Sequence, residues 1–251
     1  MNIVLPIAGL GSRFRQAGFT TPKPLIPVLG KPMYAWAADS LPLARARRLI
    51  FILLASQPEF PELREDILVR YAAHQPTVLT VPALTAGQAV TVLAARTQID
   101  TGEPLLIHNA DTGFEADARW ADDALQCGAD GALLVFPSDE PRWSFSREGP
   151  EGWVVEVREK AAISPWASTG TYWFRRGADF VRLAEARLRT AARESGEYYV
   201  GPLYNDLIAE GGRVKNYPIE RLHCFGTPED LEHTLRTLKK EGAGTRDGHV
   251  A

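Results

Sequence analysis

The sequence predicts an α/β protein: a mostly parallel sheet flanked by helices, with a small β-rich insertion in its second half. Three observations lead there. Short apolar runs alternate with amphipathic stretches through the first half, a glycine-rich turn follows the first run directly, and closely spaced strands and turns replace that alternation from about Pro141 to Phe174.

Taken in order, Asn2 to Ile7 reads as the first strand, followed by the glycine-rich turn and a helical pattern after Pro32. The runs Arg48 to Leu54, Thr77 to Val81, Pro104 to His108 and Gly131 to Phe136 are short and apolar, as strands buried on both faces are, and helical patterns separate them. WSFS, the turn-forming REGPEG, WVVEVRE and STGTYWF then predict a hairpin-rich insertion or small subdomain. Helical periodicity returns from Ala178 to Ala192, where Phe180, Val181, Leu183, Ala184 and Leu188 share a face, and again from Pro202 to Ile208. The last helix opens on Thr227-Pro228-Glu229-Asp230, a capping hydroxyl, an N1 proline and acids at the positive end of the dipole, and should stop near Gly242.

With 251 residues and 45% hydrophobic content, the chain can bury one sizeable core, or one core plus a small subdomain. The expected organisation is a single domain over residues 1–242, in two halves, 1–137 and 138–242. The polar tail 243–251 lacks the apolar content to repay ordering.

The net charge is −3, and no Lys/Arg run is long enough to track a phosphate backbone, so nucleic acid is not expected as a partner. No apolar stretch approaches the roughly 20 residues that span a bilayer, and no basic segment precedes the first apolar run. The two cysteines, Cys127 and Cys224, show no zinc spacing and read as reduced thiols. Together these features predict a cytoplasmic protein without a membrane partner.

The segment GLGSRFRQAGFTTPKPLIPVLGKPM carries the clearest chemistry. Gly9 and Gly11 bracket a turn whose amides can approach phosphate oxygens without a Cβ in the way, and Arg13 and Lys23 supply positive charge. Phe14 stands where a dinucleotide fingerprint needs Gly or Ala, and Gly30-Lys31 is followed by Pro32-Met33 rather than Ser or Thr. A Rossmann dehydrogenase and a Walker ATPase are both disfavoured.

The same segment resembles the signature of the sugar-phosphate nucleotidylyltransferases (NDP-sugar pyrophosphorylases): GxGxR, a threonine, then PKPLxPVxGKPM. The resemblance implies a Rossmann-like, GT-A-like nucleotidyltransferase fold, Mg²⁺ as cofactor, and a nucleoside triphosphate and a small phosphorylated substrate as partners. By the resemblance, Ala8, Gly9, Gly11 and Ser12 belong to the nucleotide loop, Arg13 holds the triphosphate and assists pyrophosphate departure, and Lys23 bridges the reacting phosphates.

Asp111 follows the apolar strand PLLIH, at the carboxyl end where ligands of open α/β sheets bind, and is the expected Mg²⁺ ligand. Alone, such an aspartate would read as a turn or cap residue. Many members carry a second metal-binding aspartate before a late G-T-P, but that position holds Cys224, leaving one ion, or Asp230 or Glu229 from the next helix, as alternatives.

Ala86-Gly87-Gln88, opening a helix that runs to Arg96, resembles the family's base-contacting turn: Gly87 would permit close backbone approach and Gln88 could pair with a base edge, although an ordinary helix start fits equally. Glu159 and Lys160 resemble the family's acceptor pair, with Glu159 taking hydroxyls, Lys160 the acceptor phosphate, and Gly170 lying against the substrate ring. Strand alternation would point adjacent Glu and Lys to opposite faces. Glu197 and Tyr198, in GEYYVGPLYNDLIAEG, complete the expected acceptor pocket; this segment resembles a short branch associated with capsule and surface-polysaccharide precursors.

The expected reaction is transfer of a nucleotide from the triphosphate to the acceptor, a sugar 1-phosphate in the family's default case, with pyrophosphate leaving. Two other readings stay open: a glycosyltransferase, against which stand the single acid of Asn109-Ala110-Asp111 and an unexplained PKPL, and a noncatalytic nucleotide or sugar-nucleotide sensor, suggested by Cys224. Homo-oligomers are common in the family; base, acceptor and oligomeric state are not legible.

Overall fold

A computed structural model describes residues 1–117, 119–190 and 196–244. In chain order its first half contains β1 (Asn2–Ile7), α1 (Ser12–Gln16), β2 (Pro27–Val28), β3 (Lys31–Pro32), α2 (Met33–Asp39), β4 (Arg48–Leu54), α3 (Phe60–Arg70), β5 (Thr77–Val81), α4 (Gln88–Val92), α5 (Arg96–Ile99), β6 (Leu105–His108), β7 (Thr112–Glu115) and α6 (Trp120–Gln126). The second half adds β8 (Gly131–Pro137), β9 (Ser144–Glu148), β10 (Val154–Glu159), β11 (Trp166–Phe174), α7 (Gly177–Arg189), α8 (Leu203–Ala209), β12 (Val214–Pro218), β13 (Arg221–Cys224) and α9 (Pro228–Gly244).

The main sheet has the order β10-β9-β11-β6-β1-β4-β5, with β8 beside β11 and β12 beside β8. Its centre is parallel: β1 runs with both β4 and β6, and β4 with β5. β11 then adds antiparallel to β6, so the predicted insertion strands β9 and β10 continue this sheet rather than forming a layer of their own.

Side-chain alternation explains the layering. Val4, Ile50, Ile52, Leu105 and Ile107 face one core, filled from α4, α5, α7 and α8 by Val92, Ile99, Phe180, Leu183 and Tyr204. Their neighbours Ile3, Leu5, Leu49, Phe51, Leu53 and Leu106 face the other, filled from α2, α3 and α6 by Tyr34, Ala38, Leu63, Ile67 and Ala124. Continuous apolar runs, not alternating ones, are what strands buried on both faces require.

Three boundaries differ from the sequence expectation. The glycine-rich turn contains α1, and the helix expected from Gln88 to Arg96 is broken by a 3₁₀ turn at Leu93–Ala95. The last helix passes Gly242 and continues to Gly244; its start is the predicted one, with the Asp230 amide donating to the Thr227 hydroxyl and the Thr227 amide to the Asp230 carboxylate, a reciprocal cap. Residues 191–195, which include the expected end of α7 at Ala192, and residues 245–251 of the expected tail lie outside the described residues. Among the described residues, no helix is long and apolar enough to cross a membrane.

A smaller core of Phe14, Ile26, Val28, Met33, Phe225 and Leu231 joins the glycine-rich loop to α9. Phe14, the residue that breaks the dinucleotide fingerprint, is thus the anchor of α1. It fixes the loop over the sheet's carboxyl edge.

Candidate active site

A cleft of about 950 Å³ opens at the carboxyl ends of β1 and β6. Ala8, Gly9, Gly11, Ser12 and Arg13 form one wall, Asp111 and Lys23 lie at the floor, and Glu159, Lys160, Gly170 and Glu197 line the far end. Sequence segments more than a hundred residues apart therefore meet where an open α/β sheet places its ligands.

Gly11 adopts φ +62°, and a Cβ there would lie 3.0 Å from Cβ of Lys23. The missing side chain lets the loop close on the Lys23 segment. The Gly9 carbonyl accepts a 2.8 Å hydrogen bond from Gln57, which holds the loop to the end of β4, while Arg13 is exposed at the cleft rim.

Lys23 donates to Oδ2 of Asp111 at 2.6 Å and to the Gly226 carbonyl at 3.1 Å. Burial opposes ionisation of Asp111, but the ammonium beside it prevails and holds the carboxyl below its usual range. Beneath it, His108 is fully buried, and burial pushes its pKa down to about 4. A neutral ring must donate to the Thr112 carbonyl through Nε2 (2.6 Å), so Nδ1 accepts from the Thr171 hydroxyl (2.8 Å). That relay fixes the β6–β7 turn carrying Asp111.

The structure gives Gly87 a reason the sequence reading did not. Its φ is +137°, and a Cβ would fall 2.6 Å from the backbone nitrogen of Tyr198, which pairs through its amide with the Ala86 carbonyl and through its carbonyl with the Ala89 amide. Close approach at Gly87 is thus made by the chain's own backbone. Gln88 does line the cleft, donating to Asn109 Oδ1 at 2.6 Å.

Strand alternation fails at Glu159-Lys160 because Lys160 leaves β10 with φ +56°, turning both side chains toward the cleft. A hydrogen bond with Tyr199, with the nearby carboxylates Glu197 and Glu159 adding to it, raises the Lys160 pKa. Gly170, at φ +79° within the irregular β8–β11 pairing, lies so close to Asn109 that a Cβ would come 2.1 Å from its amide nitrogen. Tyr198 is corrected: its side chain is buried in the core, and the neighbouring Tyr199 lines the cleft with Glu197.

Cys224, at the position expected to be acidic, is buried, and burial pushes its thiol up to about 12. Asp230 reaches the cleft, whereas Glu229 is exposed and outside its lining. Asp230 is engaged by Arg142 through both oxygens at 2.8 Å, and by the Thr227 amide. Among the described residues, no group of three or more His, Cys, Asp or Glu side chains is placed to hold a metal. For a hard cation the donor set still fits at one point: Asp111 offers carboxylate oxygens, and Mg²⁺ is commonly held by one or two carboxylates plus substrate phosphates, whereas a protonated thiol is unsuited.

The sequence reading missed Asn109, Arg142 and Tyr199 as cleft residues. Asn109 was within reach, because it occupies the same strand end as Asp111. For Tyr198 and Tyr199 no period separates the outward ring from the inward one, and Arg142 belongs to no motif.

An open α/β sheet whose glycine-rich loop shares one cleft with the Lys23–Asp111, Glu159–Lys160 and Arg142–Asp230 pairs has the layout of a phosphate-handling transferase. A family model described as Nucleotidyl transferase matches residues 2–207, and the chain belongs to that family, an enzyme class that includes the sugar-phosphate nucleotidylyltransferases. Among solved structures, it is similar to a nucleoside-diphosphate-sugar pyrophosphorylase from Vibrio cholerae RC9, with 27% identity, a TM-score of 0.81, and coverage of 93% of this chain and 99% of that one. A putative glucose-1-phosphate thymidylyltransferase from Bacillus anthracis, in complex with a sucrose, shares the fold at 17% identity and TM-score 0.77, covering 94% of each chain. A UDP-glucose pyrophosphorylase complexed with UDP-glucose does so at 16% and 0.74, covering 96% of this chain and 98% of that one. No curated protein matches the chain.

Proposed function

We propose that this chain is a Mg²⁺-dependent nucleotidyltransferase that transfers a nucleoside monophosphate from a triphosphate to a small phosphorylated acceptor, a sugar 1-phosphate being the class to test first. The observation that carries the reading is the Lys23–Asp111 pair on the cleft floor, between the glycine-rich loop and the Glu159-Lys160 end. Residues 1–137 would bind the nucleotide and residues 138–242 the acceptor, in one domain working in the cytoplasm.

An oxygen of the acceptor phosphate attacks the nucleotide's α-phosphorus, a P–O bond forms there, and the bond to the leaving pyrophosphate breaks. Phosphate monoesters have a second pKa near ~6, so the nucleophile is already anionic and no general base is needed. The neutral, buried His108 fits a positioning role rather than proton transfer. Catalysis is then positioning and charge neutralisation. Lys23 moves from Asp111 to the reacting phosphates, Arg13 and the loop amides receive the charge on pyrophosphate, and Lys160 holds the acceptor phosphate while Glu159 and Glu197 take its hydroxyls. Asp111 would hold Mg²⁺, whose contribution is charge neutralisation at phosphate oxygens.

The test crosses the nucleoside triphosphates with a panel of sugar 1-phosphates and related phosphorylated metabolites, reading products by mass spectrometry. A nucleotide-linked product supports the reading and names base and acceptor; no such product from any pair, with sugar transfer from nucleotide-sugars in parallel incubations, would replace it with the glycosyltransferase reading.

A further inference from the structure

Four basic side chains line the cleft: Arg13, Lys23, Arg142 and Lys160. The proposed function gives work to three of them, and Arg142 is left over. Its placement is specific. The guanidinium bonds Asp230 through Nη1 and Nη2, both at 2.8 Å, bonds Glu140 through Nε at 2.7 Å, and stacks 4.4 Å from the Trp143 ring.

A guanidinium has five N–H donors. Asp230 and Glu140 take three, which leaves two on a group whose orientation is fixed on both edges and one face. The two that remain, one on each Nη, diverge, so each can donate singly to an oxyanion, and a guanidinium held in this way loses little freedom on doing so. The anchors also locate it. Asp230 adjoins Gly226, whose carbonyl accepts from Lys23, and the Trp143 carbonyl accepts from the Lys160 amide, so Arg142 stands between the nucleotide floor and the acceptor end. The wall beside it carries the uncharged Cys224 thiol, and Asp230 is balanced by Arg142 itself.

We infer that Arg142 is a phosphate-binding residue at the junction of the two substrates, with Asp230 as the carboxylate that positions it rather than a second metal ligand. The inference rests on the proposed function for its substrates. The phosphate it meets comes either from the triphosphate or from the acceptor.

The experiment measures binding of inorganic tripolyphosphate by calorimetry and of inorganic phosphate by ³¹P NMR, both with EDTA and no metal, for wild type, Arg142→Gln and Asp230→Asn, each with its melting temperature. Loss of a charge-assisted contact should weaken binding by about tenfold or more in Arg142→Gln, for tripolyphosphate if the nucleotide is the source and for phosphate if the acceptor is. Asp230→Asn, which keeps the cation but loosens it, should fall between the two. Affinities within about twofold of wild type for both probes, in folded Arg142→Gln, would overturn the inference and leave Arg142 a strap between the β8–β9 loop and α9. Since neither measurement needs turnover, a chain that transfers nothing can still support or refute it.

Discussion

The Lys23 ammonium lies 2.6 Å from Oδ2 of Asp111, 88 residues away in sequence, and also donates to the carbonyl of Gly226 at 3.1 Å and lies over the Phe14 ring. One side chain thereby ties the glycine-rich loop, the β6–β7 turn and the entry to α9 together, and holds a cation in the cleft where the proposed reaction would gather phosphates. Lys23→Ala should lower kcat by about 10²-fold or more, the cost of removing a fixed charge from a transition state. The melting temperature should move only a few degrees, because this pair is partly solvent-exposed. Steady-state kinetics beside thermal melts check both.

Asp111→Asn keeps the shape of the turn and removes the charge that Lys23 and a cation share. Mn²⁺ affinity in the presence of nucleotide, read by electron paramagnetic resonance, should fall by about tenfold or more, as ligand loss does. Unchanged Mn²⁺ affinity would remove Asp111 from the metal site.

Acid should destabilise the fold through His108. Its native pKa of about 4 lies below the ordinary value of 6.5, so between those pH values the unfolded chain binds a proton that the folded one does not. Stability therefore declines as pH falls from 6.5 toward 4, by on the order of 3 kcal/mol in total. Urea unfolding across that range should show the slope, and His108→Gln should abolish this part of it.

Gly87→Ala should be costly to the fold although Gly87 lines the cleft. The new Cβ meets Tyr198 backbone at 2.6 Å and must adopt φ +137°. A loss of about 1–3 kcal/mol is expected, visible as a lower urea midpoint. A nucleotide-only role would instead change binding and leave the midpoint in place.

The fold was legible where burial is two-sided. β1, β4 and β6 are continuous apolar runs because helices cover both faces, and that pattern survives in sequence without any knowledge of neighbours. That the glycine-rich loop, Asp111 and Glu159-Lys160 belong to one cleft was legible as motif. What the sequence hid depends on single dihedrals and distant contacts. One left-handed residue, Lys160, brings two adjacent side chains to one cleft, and in the irregular segment before α8 Tyr198 turns into the core while Tyr199 lines the cleft. The Arg142–Asp230 pair spans 88 residues, and no local pattern encodes it.

The central claim is best tested by pyrophosphate release with Mg²⁺, a triphosphate and a phosphorylated acceptor, in wild type and Lys23→Ala. Release that requires both substrates, and falls about 10²-fold or more in the variant, is what a transferase working through the Lys23–Asp111 floor predicts. Tight nucleotide binding with no release for any acceptor would contradict it and favour a nucleotide-sensing module.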